Sequence, residues 1–182
     1  MLAAGVGLGI KRNGYAKQEP AEGDSIIGIC TPSTAGIGID IYSKVVLEDM
    51  RNGVNDYIEE LDEIAGEAMI TPPPNYANLI QKLYDSFDVK DIIPISKLGL
   101  VPDIAAVTGG EDKIKIQPSD WEYPKITKLM QKEANLTDDF IIKHFNAGIG
   151  LAIIVDEKVE LPILLEFNEM GVEAYSIGKI IK

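Results

Sequence analysis

The segment Phe145-Asn146-Ala147-Gly148-Ile149-Gly150, followed by the apolar run 151–155, joins a glycine-rich turn directly to a buried strand. Two glycines on either side of one isoleucine remove Cβ atoms and permit positive φ without steric cost. Such a turn is typical of a bulge entering a core strand. It also lets a phosphate-like ligand or another backbone approach closely. Taken alone, these six residues favour the turn or bulge entering a core strand. The rest of the C-terminal third bears on whether a ligand approaches the turn.

Composition favours one compact domain over residues 1–182. The chain has 182 residues, of which 46% are hydrophobic and 25% charged, enough for one sizeable core. Its formal net charge of -12 opposes binding to nucleic acid, because the scattered lysines and arginines form no basic patch. Acidic residues are densest over 48–67, where they alternate with Ile58, Leu61 and Ile64. That pattern predicts the solvated face of a helix over 55–65 rather than a metal site.

The single cysteine and single histidine exclude several classes of site. Cys30 has no disulfide partner and lies in an apolar run, so we expect a buried thiol in a reducing, cytoplasmic compartment. His144 has no evident acidic residue to orient it, so we expect a structural or exposed side chain. The two residues cannot form a zinc site. No apolar run reaches the length of a membrane span, and the N-terminus lacks the features of a signal peptide.

Helices and strands follow one another without strict alternation, which favours α+β with helices packed on a mixed sheet. Strands are predicted at 4–10, 25–31, 92–95, 113–117, 151–155 and 174–180. Helices are predicted at 37–52, 55–65, 76–87, 124–132, 137–145 and 158–170. Thr137 provides a cap with acidic residues in the following turn. The glycines and acidic residues of 108–112 are interpreted as a turn between two strands.

Five short motifs in a fixed order resemble the C-terminal domain of the aminoimidazole ribonucleotide synthetase family, also called AIR synthase or phosphoribosylformylglycinamidine cyclo-ligase. They are Gly23-Asp24-Ser25-Ile26-Ile27-Gly28, Gly66-Glu67-Ala68-Met69-Ile70-Thr71-Pro72, Trp121-Glu122-Tyr123-Pro124, the Phe145 to Gly150 turn, and Ala174-Tyr175-Ser176-Ile177-Gly178. The resemblance spans nearly the whole chain. It implies a three-layer, partly ferredoxin-like fold in which a mixed β-sheet is flanked by helices, and a function related to purine biosynthesis.

The resemblance also implies that half of the family's enzyme is not in this chain. Residues 1–20 are similar to the strand and turn by which the family's chain leaves its N-terminal domain, which carries most of the nucleotide-binding and metal-binding groups. We therefore expect no cofactor in this chain, and ATP and Mg²⁺ only with an N-terminal partner domain. A separately encoded N-terminal half, a truncated polypeptide and a stand-alone relative all remain open. A face that normally packs on a neighbour leads us to expect a homo-oligomer.

The family's binding loops are matched here with substitutions. The loop 31–39 keeps Thr31, Ser33 and Gly38 but has Ala35 and Ile37 where the family has histidine and asparagine. The loop 94–103 keeps Ser96 and Gly99 but has Lys97 and Leu98 in place of glycines. Lys97 either holds a phosphate or points into water, and the second is favoured. The suspected substrate or phosphate-binding residues are Thr31, Ser33, Gly38, Ser96, Gly99, Asn146, Gly148 and Gly150. No catalytic residue and no metal ligand is assigned.

Three hypotheses of function follow. The chain is the C-terminal half of an ATP-dependent, cyclo-ligase-like enzyme that cannot catalyse alone; or it is a catalytically silent binding or assembly module; or it belongs to a sister branch such as thiamine-monophosphate kinase, selenophosphate synthetase or the hydrogenase-maturation proteins. The substituted loops disfavour the first in its full form.

Overall fold

The structure is a computed structural model that describes residues 18–34, 36–96 and 98–182. The strand predicted at 4–10 and most of the interdomain segment 1–20 lie outside these residues. Ala35 and Lys97 also lie outside the described residues. Whether Lys97 holds a phosphate or points into water therefore stays a prediction.

A five-stranded sheet in the order β4-β6-β1-β7-β5 forms the centre of the fold. Its strands are β1 (Ser25–Cys30), β4 (Val89–Pro94), β5 (Ile114–Ile116), β6 (Ile149–Val155) and β7 (Ala174–Ile180), and a separate pair consists of β2 (Tyr57–Ile58) and β3 (Glu63–Ile64). The α+β class is confirmed. However, all four pairings in the large sheet are antiparallel, where we expected a mixed sheet. The reason is that β6 and β7, which are joined by a helix and run parallel to each other, are not neighbours, because β1 lies between them and pairs with both.

Seven α-helices are present in the described part of the chain. They are α1 (Ile39–Tyr42), which continues into a π-helical segment (Ser43–Asp49), α2 (Ala65–Ile70), α3 (Ala77–Ser86), α4 (Leu100–Thr108), α5 (Lys125–Glu133), α6 (Asp138–His144) and α7 (Glu157–Glu169). Short 3₁₀ turns occupy Glu111–Lys113 and Pro118–Asp120. The Thr137 cap is confirmed, since its side chain accepts a hydrogen bond from the Phe140 N–H.

Two hydrophobic clusters cover opposite faces of the sheet, so the fold has three layers. Successive strand residues point to opposite faces: Ile26 belongs to the larger cluster and Ile27 to the smaller one. Helices α4, α5 and α6 contribute to the larger cluster. Helices α3 and α7 contribute to the smaller one, with Leu83 and Phe167 buried.

Two local predictions were wrong. The segment 55–65 forms the hairpin β2–β3 instead of a helix, because Asp62 takes a left-handed conformation (φ 60°) and the turn buries both Ile58 and Leu61. Their three-residue spacing suits a turn as well as a helix. Helix α4 was not predicted, since residues 94–103 were matched to a binding loop of the family. Pro102 lies in the first turn, where the missing N–H has no helical partner. The glycines after Thr108 consequently end a helix rather than join two strands.

One buried ion pair links the start of β4 to the start of β1. The Lys90 ammonium lies 2.6 Å and 2.7 Å from the two carboxylate oxygens of Asp24. The exposed fractions of the two side chains are 13% and 5%. Asp24 also accepts a hydrogen bond from the Ala21 N–H at 2.6 Å. The carboxylate is therefore held on both sides at this end of the sheet.

Candidate functional site

Four loops meet at the end of the sheet where β1 ends and β6 begins. They are the loops 31–38, 71–76, 95–99 and 145–148. Backbone hydrogen bonds join them: Thr31 N–H to the Gly148 carbonyl at 2.8 Å, Ile95 N–H to the Gly150 carbonyl at 3.0 Å, and Leu100 N–H to the Phe145 carbonyl at 2.9 Å. All eight residues suspected of binding from the sequence lie on these loops or on the first residues of β6.

The Asn146 side chain connects the glycine turn to the loop after β1. Its amide nitrogen donates to the Ser33 carbonyl at 2.8 Å, and its amide oxygen accepts from the Gly148 N–H at 3.4 Å. Only 3% of the residue is exposed. The Ser33 hydroxyl donates in turn to the Thr71 carbonyl at 2.5 Å. Asn146 and Ser33 therefore hold three loops together, and the Asn146 amide is not presented to solvent.

Close contacts between segments account for several glycines in this region. A Cβ atom at Gly38 would overlap the Phe145 ring, one at Gly148 would overlap Pro124, and one at Gly150 would overlap the Tyr76 hydroxyl. The Trp-x-x-Pro segment meets the turn at the same place, since the Trp121 indole N–H donates to the Ala147 carbonyl at 2.8 Å. These glycines allow close packing between segments.

Ser96 and Gly99 shape the entrance to α4. The Asp103 carboxylate accepts hydrogen bonds from the Ser96 N–H at 2.6 Å and from its hydroxyl at 3.1 Å. Asp103 is only 8% exposed. A Cβ atom at Gly99 would overlap the Lys143 carbonyl. Both residues therefore have structural partners within the described chain, and a ligand role for them stays a prediction.

A cavity of about 730 Å³ opens beside these loops, between β1, the β2–β3 hairpin, α2 and the start of α5. Thr31 and Gly148 line it, whereas the other six suspected residues do not. The sequence interpretation missed its charged lining residues, which are Glu63, Glu122, Glu173, Lys125 and Lys128. Of these residues, Glu122 could have been identified from the sequence, because it lies within the Trp-x-x-Pro motif. Glu63 was instead assigned to the solvated face of a predicted helix.

The lining of the cavity is electronegative. Three glutamates face two lysines, and Lys128 is paired with Glu122 at 3.1 Å while Lys125 lies 3.9 Å from Asp62. Burial, and secondarily the charge of Glu173, raises the pKa of the Cys30 thiol to about 12. The thiol is thus protonated at neutral pH and is a poor nucleophile. A phosphate group would be repelled here unless positive charge came from elsewhere.

Within residues 18–34, 36–96 and 98–182, no three or more His, Cys, Asp or Glu side chains are grouped to hold a metal ion. His144 is exposed at the end of α6 and packs against the Phe140 ring at 4.4 Å between centroids. No helix in the described part of the chain is long and apolar enough to span a bilayer.

Replacing Asn146 by alanine is expected to lower the free energy of unfolding by about 1 to 3 kcal/mol, since the buried Ser33 carbonyl and Gly148 N–H would lose their partner. Urea denaturation of the purified chain measures the change. Asn168→Ala, at an exposed position on α7, is the matched control and should change stability by less than about 0.5 kcal/mol. Equal effects of the two substitutions would contradict a structural role for the Asn146 amide.

Comparison with known sequences reveals cyclo-ligases as relatives. No family model matches the chain. It is 29% identical over 160 residues to the phosphoribosylformylglycinamidine cyclo-ligase of Citrifermentans bemidjiense, covering 88% of this chain and 46% of that protein. The cyclo-ligase of Syntrophus aciditrophicus is 29% identical over 181 residues, covering 98% of this chain and 52% of the relative. The chain thus spans about half the length of the curated relatives it matches.

Solved structures with a similar fold include a kinase and a maturation protein. Thiamine-monophosphate kinase from Stenotrophomonas maltophilia superposes with a TM-score of 0.61 at 11% identity, covering 91% of this chain and 50% of that one. The Escherichia coli hydrogenase maturation protein HypE superposes with a TM-score of 0.56 at 19% identity, covering 92% and 46%. These likenesses concern the fold alone. The cyclo-ligase relatives, which match 88% and 98% of this chain but only 46% and 52% of their own length, identify it as an AIR synthase-related chain, consistent with the expected C-terminal domain-like half.

Proposed function

We propose that this chain supplies one half of a composite cleft of the ATP-dependent cyclo-ligase type and does not catalyse without an N-terminal partner. The observation that carries the proposal is the convergence of all eight suspected residues at one end of the sheet, on four neighbouring loops and at the start of β6, beside the cavity. Loops held together at one end of a sheet form a rigid wall. The relatives are about twice as long as this chain, and their additional residues are enough to form a second domain on the other side of the cleft.

The chemistry proposed is ring closure on a formylglycinamidine ribonucleotide, in which ATP activates an amide oxygen. ATP and Mg²⁺ would be held by the partner half. Thr31 and Gly148 are the suspected binding residues that also line the cavity, and we propose that they contact the substrate. We place this reaction in the cytoplasm, where a free thiol such as Cys30 stays reduced.

The charge of the cavity supports the need for a partner. Its two lysines are both near carboxylates, so the lining offers little positive potential to a phosphorylated substrate. Basic residues or a metal ion from a second domain would supply it.

A catalytically silent binding or assembly module is the second candidate. It is favoured by the structural contacts of Asn146, Ser96 and the glycines, which account for these residues without a ligand. A sister-branch activity has only the similar fold in its favour.

A chimera tests the proposal. The matched segment of the Citrifermentans bemidjiense cyclo-ligase is replaced by this chain, so that the two halves are covalently joined. We expect ring closure that depends on ATP and on the ribonucleotide, and no turnover by the isolated chain above a buffer control. The unmodified relative is the positive control. Turnover by the isolated chain would refute the need for a partner. A folded but inactive chimera would favour the silent module.

A further inference from the structure

The outer face of α7 is apolar at its centre and charged at its ends. We define this outer face by Lys158, Leu161, Leu165 and Glu169, which are spaced three and four residues apart and so lie along one side of the helix. Leu161 is 64% exposed and Leu165 is 56% exposed. The opposite side of α7 is buried against the sheet through Ile163 and Phe167. The fold therefore explains one side of the helix and leaves the other uncovered.

The charges at the two ends of this face have opposite sign. Lys158 precedes the leucines, and its ammonium is only loosely paired, at 3.8 Å from Asp156, with 88% of the side chain exposed. Glu169 follows the leucines and is exposed on the last turn. Opposite charges symmetrically placed about an apolar centre make a surface that is complementary to itself when one copy is turned around. A two-fold symmetric contact requires this property.

We propose that the outer face of α7 binds the same face of a second copy of this chain, with the two helices antiparallel. If the two-fold axis passes at residue 163, Leu161 of one copy packs against Leu165 of the other. The same register brings Lys158 close to Glu169 of the second copy, and the symmetry repeats this ion pair at the other end. Each copy thus covers the other's two exposed leucines and gains two opposite-charge contacts.

This interface is independent of the composite cleft proposed above. Helix α7 belongs to the smaller hydrophobic cluster, whereas the cavity is lined by Leu61, Ala68 and Ile126 of the larger cluster on the other face of the sheet. A dimer through α7 leaves the loop end of the sheet free for another domain. One helix face is smaller than a standard interface of about 800 Å² per partner, and the net charge of -12 on each copy opposes association. The dimer is therefore weak and depends on concentration.

Charge reversal at the two ends of the face tests both the surface and its symmetry. In a K158E dimer, and equally in an E169K dimer, both end contacts join like charges. Each single variant is expected to raise the dimer Kd roughly 10-fold, as two weak ion pairs become repulsive. The double variant K158E/E169K restores opposite charges at both ends and should return to the Kd of the unmodified chain. An equimolar mixture of the two single variants should form heterodimers, because both contacts are then attractive.

Sedimentation velocity over a wide concentration range measures these equilibria, and circular dichroism checks that each variant is folded. Leu165→Glu should abolish the dimer. Leu98→Glu is the control, at a residue that is 55% exposed on the loop between β4 and α4, and should leave the Kd unchanged. A chain that is monomeric at every concentration would overturn the proposal. So would single charge variants that dimerise as well as the unmodified chain, or a mixture of them that fails to pair.

Discussion

Replacing Gly38 by alanine is expected to lower the free energy of unfolding by about 2 to 5 kcal/mol. Gly38 has a φ of 70°, and a residue with a Cβ atom pays about 1 to 2 kcal/mol in that left-handed conformation. Its Cβ atom would also overlap the ring of Phe145, which is 1% exposed and cannot move aside without disturbing the core. Such overpacking costs a further 1 to 3 kcal/mol, roughly.

Gly36 provides a matched control two residues away. Its φ is 76°, and a Cβ atom there would meet no heavy atom within 4 Å. Gly36→Ala therefore pays the cost of the backbone conformation alone. The difference between the two substitutions in chemical denaturation isolates the contact between Gly38 and Phe145. If both variants lose the same stability, the packing of the turn against the loop after β1 is not as described.

Replacing Lys90 by methionine is expected to destabilise the chain by about 3 to 5 kcal/mol, because it leaves the buried Asp24 carboxylate without its counter-charge. Most of this loss arises because the Asp24 carboxylate stays buried without a counter-charge, and not only because its attraction to Lys90 is removed. The double variant Asp24→Asn with Lys90→Met should therefore recover most of the loss, since a neutral amide keeps an acceptor for the Ala21 N–H. Thermal and urea unfolding of Asp24→Asn, Lys90→Met and the double variant complete a double-mutant cycle that measures the coupling between the two side chains.

Lys128→Met is the control for this second prediction. Lys128 pairs with Glu122 at 3.1 Å, but 52% and 87% of the two side chains are exposed, and exposed pairs contribute at most about 1 kcal/mol. A loss at Lys90 no larger than the loss at Lys128 would show that the Asp24 carboxylate is solvated. A double variant less stable than either single variant would contradict the account in the same way.

Much of the fold was accessible from local patterns. The apolar runs of β1 and β6 indicated strands, because residues buried on both faces of a sheet form nearly continuous apolar stretches. The Thr137 cap located the start of α6 because its hydrogen bond is local: the side chain accepts from the Phe140 N–H, three residues further along the chain. Where the local pattern suited two structures, as at Ile58 and Leu61, the prediction was wrong. The decision there depended on which arrangement buried both side chains in the core.

The candidate site was accessible only in part. The motif order brought the eight suspected residues to notice, and the structure places all of them at one end of the sheet. The motif order could not reveal that the Asn146 amide is already hydrogen-bonded within the protein, since its partner Ser33 is 113 residues away in the chain. The cavity's glutamates were missed for the same reason, because Glu63, Glu122 and Glu173 come from three separate segments.

The amino-acid sequence was sufficient to establish the α+β class, the resemblance to one half of a cyclo-ligase, and the segment at which loops converge, because these depend on residue types at short spacing. The antiparallel pairing of every neighbouring strand in the large sheet, the electronegative cavity and the uncovered leucines of α7 emerged only in three dimensions. Each depends on contacts between residues distant in the chain, and the burial and charge of a side chain are set by those neighbours.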